Sequence, residues 1–314
     1  MHICLEKNQT SLPIGYFNTI HLLLLRFFIQ TKPMRIVLML LIATVGFFSC
    51  KKKDQSANAA KILFNVKYGA DAKQAMDIYL PSNRTATTTP VLILIHGGAW
   101  VEGNRTDLNA FVDTLKRRAP HYAIFNISYR LAANGQNIFP SQEQDVKAAV
   151  EFILSKRTEY NISDRFALLG ASAGAHLALL HVYKYTTPVK AKAVVSFFGP
   201  TELVQMYNNP PNPLIPLLLT SVTGGTPATL PAVYQQSSPF NFVTNTSSPT
   251  LLLHGGLDIV VASSQSTLLQ NKLNSVAVPN QLVFYPAGGH GDWDAATYHD
   301  AFNKVDAFLK IHHP

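Results

Sequence analysis

Two cysteines in 314 residues, Cys4 and Cys50, exclude a disulfide-stapled scaffold and a cysteine-ligated zinc ribbon. Charge is scarce as well: 14% of residues are Asp, Glu, Lys or Arg, against 47% hydrophobic and 10% aromatic. That balance excludes disorder over most of the chain. No apolar run reaches the roughly 20 residues that a transmembrane helix needs, and no internal repeat or long Gly/Ser linker divides the sequence. Acids are outnumbered 18 to 26, for a formal net charge of +8. Five of those eight surplus charges fall in residues 1–60, and the +3 left on 61–314 is scattered. No nucleic-acid partner is expected from so diffuse a charge. The length suits one large domain or two small ones, with ample material for a core.

The first 60 residues read as an address. Met34 and Arg35 open an apolar run over 36–48, which ends at Ser49, Cys50 and Lys51-Lys52-Lys53-Asp54. A basic start, a short apolar run and a small residue before the break are the layout of a secretory signal. The segment resembles a bacterial lipoprotein signal, in which the cysteine becomes the lipidated first residue of the mature chain. The resemblance implies lipidation at Cys50 and attachment to a cell-envelope membrane, periplasmic or at the cell surface. Residues 1–50 are then leader, with translation starting at Met34 and residues 1–33 left out. Residues 51–60, KKKDQSANAA, form a polar tether. An uncleaved anchor built on 20–29 and 36–48 is the alternative.

From residue 61 onward the pattern is that of a single α/β domain. Segments 62–68 and 75–80 alternate around Gly69-Ala70-Asp71, as an antiparallel hairpin does. Six apolar strands follow, at 91–95, 123–128, 166–169, 193–198, 250–253 and 281–285, making eight in all. Helices are expected between them, near 107–118, 141–156, 173–185, 262–275 and 295–311. Continuous apolar strands alternating with helices indicate a mostly parallel sheet covered on both faces. Residues 200–248 break the rhythm with eight prolines and Gly224-Gly225, and are expected to form a small Pro-rich cap over the strand ends, with Tyr207 and the leucines of the apolar stretch 214–219 (Leu214, Leu217, Leu218 and Leu219) as apolar surface for the pocket.

Ligands on such sheets bind beyond the carboxyl ends of strands, and the chemistry-bearing residues fall there. Strand 166–169 runs into Gly170-Ala171-Ser172-Ala173-Gly174 and then an apolar helix. A G-x-S-x-G between strand and helix is a nucleophile elbow, with glycines that permit the sharp turn. A serine needs a base, and on this kind of sheet the order is Ser, Asp or Glu, then His. Strand 250–253 leads to Asp258 in HGGLDIVV (254–261), and strand 281–285 leads to His290 in GGHGDW (288–293). Asp292 and Asp294 compete as the acid but lie too near His290 in sequence. Strand 91–95 ends in HGGAW (96–100), where the amides of Gly98 and Ala99, with that of Ala173, are expected to form an oxyanion hole. His96 is expected to hold this loop, His176 and His181 to pack within a helix, and His312 and His313 to belong to a frayed tail.

HGGAW, SYRLA (128–132), GASAGAHLA (170–178), HGGLDIVV and GGHGDW together resemble the α/β-hydrolase esterases of the hormone-sensitive-lipase and carbohydrate-esterase type. The resemblance covers about 61–314. It implies an α/β-hydrolase fold, a Ser172–Asp258–His290 triad and a hole at Gly98, Ala99 and Ala173. Ala99 stands where the family's usual third glycine would be. Arg130 and Asp145 match positions that are structural in such enzymes. The implied activity is hydrolysis of carboxylic esters, with short acyl groups favoured, a small-molecule substrate, and no metal or organic cofactor. An amidase, exopeptidase or lipase on the same scaffold is one alternative. A catalytically inactive binding module is the alternative from another class.

Overall fold

The computed structural model describes residues 58–314, so the leader, Cys50 and most of the tether lie outside the described residues. Eight strands form one sheet in the order β1-β2-β4-β3-β5-β6-β7-β8. They are β1 (Lys61–Lys67), β2 (Ala75–Leu80), β3 (Val91–Ile95), β4 (Ala123–Ile127), β5 (Phe166–Ala171), β6 (Ala193–Phe197), β7 (Thr250–Gly255) and β8 (Asn280–Tyr285). β2 runs antiparallel to both β1 and β4, and every other pairing is parallel. Flanking helices complete the α/β-hydrolase fold: α1 (Asn109–Arg118), α2 (Ser141–Ser155), α3 (Arg157–Tyr160), α4 (Ala173–Lys184), α5 (Leu203–Asn208), α6 (Ile215–Thr223), α7 (Pro231–Gln236), α8 (Ser264–Ser275) and α9 (Ala295–His312).

The central strand shows why the sheet is closed on both faces. All five residues of β3 are buried, and successive side chains point to opposite faces. Val91, Ile93 and Ile95 join the core under α2 and α4, whereas Leu92 and Leu94 join the core under α1 and α9. At about 1.5–3 kcal/mol for each fully buried aliphatic side chain, such strands anchor the loops that follow them.

Several element ends depart from the periodicity for identifiable reasons. β5 and β7 run two residues past their apolar runs, because the parallel ladder continues through Ala171 opposite Phe197 and Gly255 opposite Tyr285. A 3-10 turn, Arg105–Leu108, precedes α1, since Asn104 and Asp107 form a reciprocal capping box there. The expected frayed tail is a correction: His313 is buried, with Tyr122 Oη donating to its carbonyl at 2.6 Å and lying 3.0 Å from its Nδ1.

The 200–248 segment holds three short helices, α5, α6 and α7, and a 3-10 turn, Pro239–Phe242. Gln265 of α8 clasps its start: Oε1 accepts the Thr201 and Glu202 amides, each at 2.8 Å, and Nε2 donates to the Glu202 carbonyl at 3.2 Å. The two ends of the segment meet, the Leu203 amide donating to Ser238 Oγ at 2.9 Å. Leu219, read from sequence as apolar surface toward a pocket, is instead wholly buried in the core, and Leu214 and Leu217 face solvent.

Candidate active site

Ser172 occupies the turn between β5 and α4 at φ 54°, ψ −122°. A non-glycine residue there costs on the order of 1–3 kcal/mol and persists only where its surroundings fix it. Here they do: the Ser172 amide donates to the Phe197 carbonyl at 2.9 Å, and its own carbonyl accepts from the His176 amide at 3.0 Å. The flanking glycines answer to close approach. A β-carbon on Gly170 would sit 2.3 Å from the Gly174 carbonyl oxygen, and one on Gly174 would sit 2.1 Å from the Ile95 carbonyl oxygen.

The structure brings Asp258 and His290 to this serine. Asp258 follows β7 and is held by its own turn, Oδ1 accepting the Val260 and Val261 amides at 2.8 Å each. Its Oδ2 lies 2.7 Å from His290 Nδ1, and His290 Nε2 lies 2.8 Å from Ser172 Oγ. An ionised carboxylate only accepts, so Nδ1 carries the proton of the neutral imidazole. Nε2 therefore presents its lone pair to the serine hydroxyl. Burial alone would raise the Asp258 carboxyl, but hydrogen bonds from His254 and His290 overturn that and hold it well below the usual carboxylate range. It stays ionised at neutral pH. Of the competing acids, Asp294 caps α9 by accepting the Thr297 amide at 2.7 Å, and Asp292 turns its carboxylate toward Gly289.

The loop after β3 lies against the nucleophile. Gly98, Ala99 and Trp100 take three successive positive φ values, 102°, 52° and 63°. Only the first is a glycine, so Ala99 and Trp100 store strain beside Ser172. The turn is closed by the Val101 and Glu102 amides, which both donate to the Gly98 carbonyl. Among the described residues, the amides of Gly98, Ala99 and Ala173 donate to no other group. Ala173 also opens α4, whose N-terminus favours negative charge. His96 braces this loop: its ring stacks on Tyr129 at 4.3 Å, its Nδ1 lies 2.7 Å from the Gly97 carbonyl, and burial lowers its pKa to about 4. Tyr129 Oη donates to the His96 carbonyl at 3.0 Å.

Other expectations resolve as supports. Arg130 and Asp145 form a salt bridge at 2.6 Å, and the Arg130 amide donates to the same carboxylate. His176 is buried, packs edge-on against Trp100 at 5.1 Å and bonds the Ser237 carbonyl through Nε2 at 2.6 Å. His254 was passed over as a chemical residue in the sequence. It is fully buried with Nε2 3.3 Å from Asp258 Oδ2, and its signal was a histidine four residues before the acid. Among the described residues, no three His, Cys, Asp or Glu side chains converge as a metal-ligand group.

The family model BD-FAE matches residues 76–273. Esterase LipC of Mycobacterium tuberculosis is 27% identical over 241 residues, covering 72% of this chain and 59% of LipC. The chain spans about half the length of the curated relatives it matches. Among solved structures, a bacterial heroin esterase superposes with a TM-score of 0.69 at 22% identity, covering 87% of this chain and 91% of that one. A truncated carbohydrate esterase from gut microbiota gives 0.67 at 24% identity, covering 80% and 98%. At such identities the structural likeness establishes the fold.

Proposed function

The chain belongs to the BD-FAE family, and from that premise we propose that it is a serine hydrolase of carboxylic esters. One observation carries the proposal: an unbroken line from Asp258 through His290 ends at Ser172 Oγ, next to the free Ala173 amide and against the loop that holds the free Gly98 and Ala99 amides. His290 Nε2 takes the Ser172 proton as Oγ attacks the ester carbonyl. The carbonyl oxygen gains charge, and the amides of Gly98, Ala99 and Ala173, which have no other acceptor among the described residues, donate to it in this reading. Such donors are each worth about 10²–10³ in rate. Asp258 holds the imidazole in the required tautomer and offsets its positive charge. His290 then protonates the leaving alkoxide, and water, deprotonated by the same nitrogen, releases the acyl group as a carboxylic acid.

The acyl group is a short one in this proposal. Its support is bulk close to the reacting atoms. Ala99 carries a methyl at a position of the oxyanion loop, and the Phe198 ring lies 4.8 Å from the His290 ring. The cap helices span only six, nine and six residues. Each methylene that fits adds roughly 0.8 kcal/mol of burial, whereas overpacking costs about 1–3 kcal/mol. Catalytic efficiency on p-nitrophenyl esters is therefore expected to peak between acetyl and butyryl and to fall steeply by octanoyl. An optimum at eight carbons or beyond transfers the assignment to a lipase, and preferential cleavage of aminoacyl anilides transfers it to an amidase.

Export and lipid anchoring at Cys50 belong to the same proposal and rest on the basic start, apolar run and cysteine at 34–50. Cys50→Ala is expected to move the protein from the membrane fraction to the soluble one with activity unchanged. One acyl chain binds membranes only marginally, so the several chains of a mature lipoprotein supply the retention. Mass spectrometry finding Cys50 unmodified, or residues 1–33 retained, rejects the anchor.

A further inference from the structure

His254, the penultimate residue of β7, makes three polar contacts from a fully buried position. Nε2 stands 2.9 Å from the Val261 carbonyl and 3.3 Å from Asp258 Oδ2. Both partners are acceptors, so Nε2 carries a proton directed between them, leaning to the carbonyl. In the neutral ring, Nδ1 then accepts the hydroxyl of Ser266 on α8, 2.7 Å away. The imidazole is fixed from the acid loop on one side and from α8 on the other. Asp258 consequently meets N–H groups on both oxygens: the Val260 and Val261 amides at Oδ1, and two histidines, His290 at 2.7 Å and His254 at 3.3 Å, at Oδ2.

Resting on the hydrolytic assignment above, we propose that His254 is a positioning residue that tunes the basicity of His290 by sharing Oδ2 of Asp258. Each N–H aimed at that oxygen draws on the same negative charge. An oxygen relieved of His254 holds the remaining imidazole more strongly and favours its protonated form. With His254 present, His290 keeps its free Nε2 lone pair to lower pH while the carboxylate stays in one orientation. Among the described residues, few titratable and charged groups face the pair. Asp258 comes from the β7–α8 loop, His254 from β7 and Asp292 from the loop of His290 itself. The β5–α4 turn presents the Ser172 hydroxyl, and the end of β6 presents only the Phe198 ring.

His254→Leu removes the N–H and keeps most of the volume. Its acid limb in the kcat/KM–pH profile is expected to move up by about 0.5–1 pH unit, with KM within twofold of wild type and plateau kcat lowered no more than about tenfold. His254→Gln, whose amide reaches about as far as Nε2, is expected to restore the wild-type limb. A limb in His254→Leu that stays in place overturns the proposal. So does one that moves down, since loss of Asp258's grip would make His290 less basic. Should His254→Leu not fold, His254→Asn is measured in its place; it remains polar but falls short of Asp258. The His290 imidazole is also titrated by NMR in wild type and variants. That readout needs no turnover, so a wild type inactive on every ester defeats the hydrolytic assignment while the coupling is still judged on its own.

Discussion

Ser172→Ala is expected to lower kcat/KM on a short p-nitrophenyl ester by about 10⁴–10⁶ while leaving a folded protein, and His290→Ala by a similar factor. The serine and the imidazole act as one unit across a 2.8 Å contact, so removing either abolishes the same step. Asp258→Asn is expected to cost about 10⁴ or somewhat less. An amide can donate where the carboxylate only accepted, which lets His290 adopt the wrong tautomer. A fluorophosphonate is expected to label wild type and to leave Ser172→Ala unlabelled. Near wild-type turnover by Ser172→Ala, with circular dichroism unchanged, would sink the mechanism outright. Retained activity in Asp258→Asn alone would reopen which acid serves His290.

Gly174→Ala carries the largest expected effect on stability. The added methyl would lie 2.1 Å from the Ile95 carbonyl oxygen and 2.3 Å from that of His96. Both obstacles are backbone, one of them in a strand buried on both faces, so no side chain can swing aside. The helix must back away from β3, separating the elbow from the oxyanion loop. A loss of about 3 kcal/mol or more is expected. For a domain of this size that corresponds to a fall in Tm of roughly 6–12 °C, and activity falls with it. The matched control is Ala175→Gly, one residue on in the same helix, where the change removes a methyl instead of adding one. A Gly174→Ala protein that melts within a degree or two of wild type would show that the elbow can relax.

The hydrogen-bonded arrangement of the three residues of the proposed triad was legible because each follows an apolar strand, and strands of that kind announce themselves in one dimension. Ser172, Asp258 and His290 needed only the positions of β5, β7 and β8 and an ordering rule. The loop of Gly98, Ala99 and Trp100 was legible as a place but not as a conformation. Nothing in Ala99 or Trp100 signals a left-handed backbone, since neither residue favours it. His313 misled because a terminal histidine pair carries no periodicity, and its partner Tyr122 lies 191 residues away. Leu219 misled for a related reason: a six-residue apolar stretch on a helix must divide between core and solvent, and the stretch alone does not say where the division falls. His254 was invisible as chemistry because its role depends on Ser266 and Val261 closing around it, contacts made only once β7 and α8 have packed.

The hydrogen bond between the Leu203 amide and Ser238 Oγ makes the intervening segment a closed excursion from the host chain. Residues 35 apart in sequence stand side by side, so whatever lies between them adds almost nothing to the path the host chain must travel. Lengthening or shortening such an excursion changes closure entropy only slowly, by about 0.6 kcal/mol per doubling. Two clasps hold its ends, Gln265 on Thr201 and Glu202 and His176 on Ser237, while Leu219 in the core and the Val222 carbonyl, which accepts the Phe139 amide, pin its middle. Both clasps come from helices of the scaffold, and neither comes from the cap. That excursion can therefore vary in length while Ser172, Asp258 and His290, each carried by the turn after a strand, stay in place.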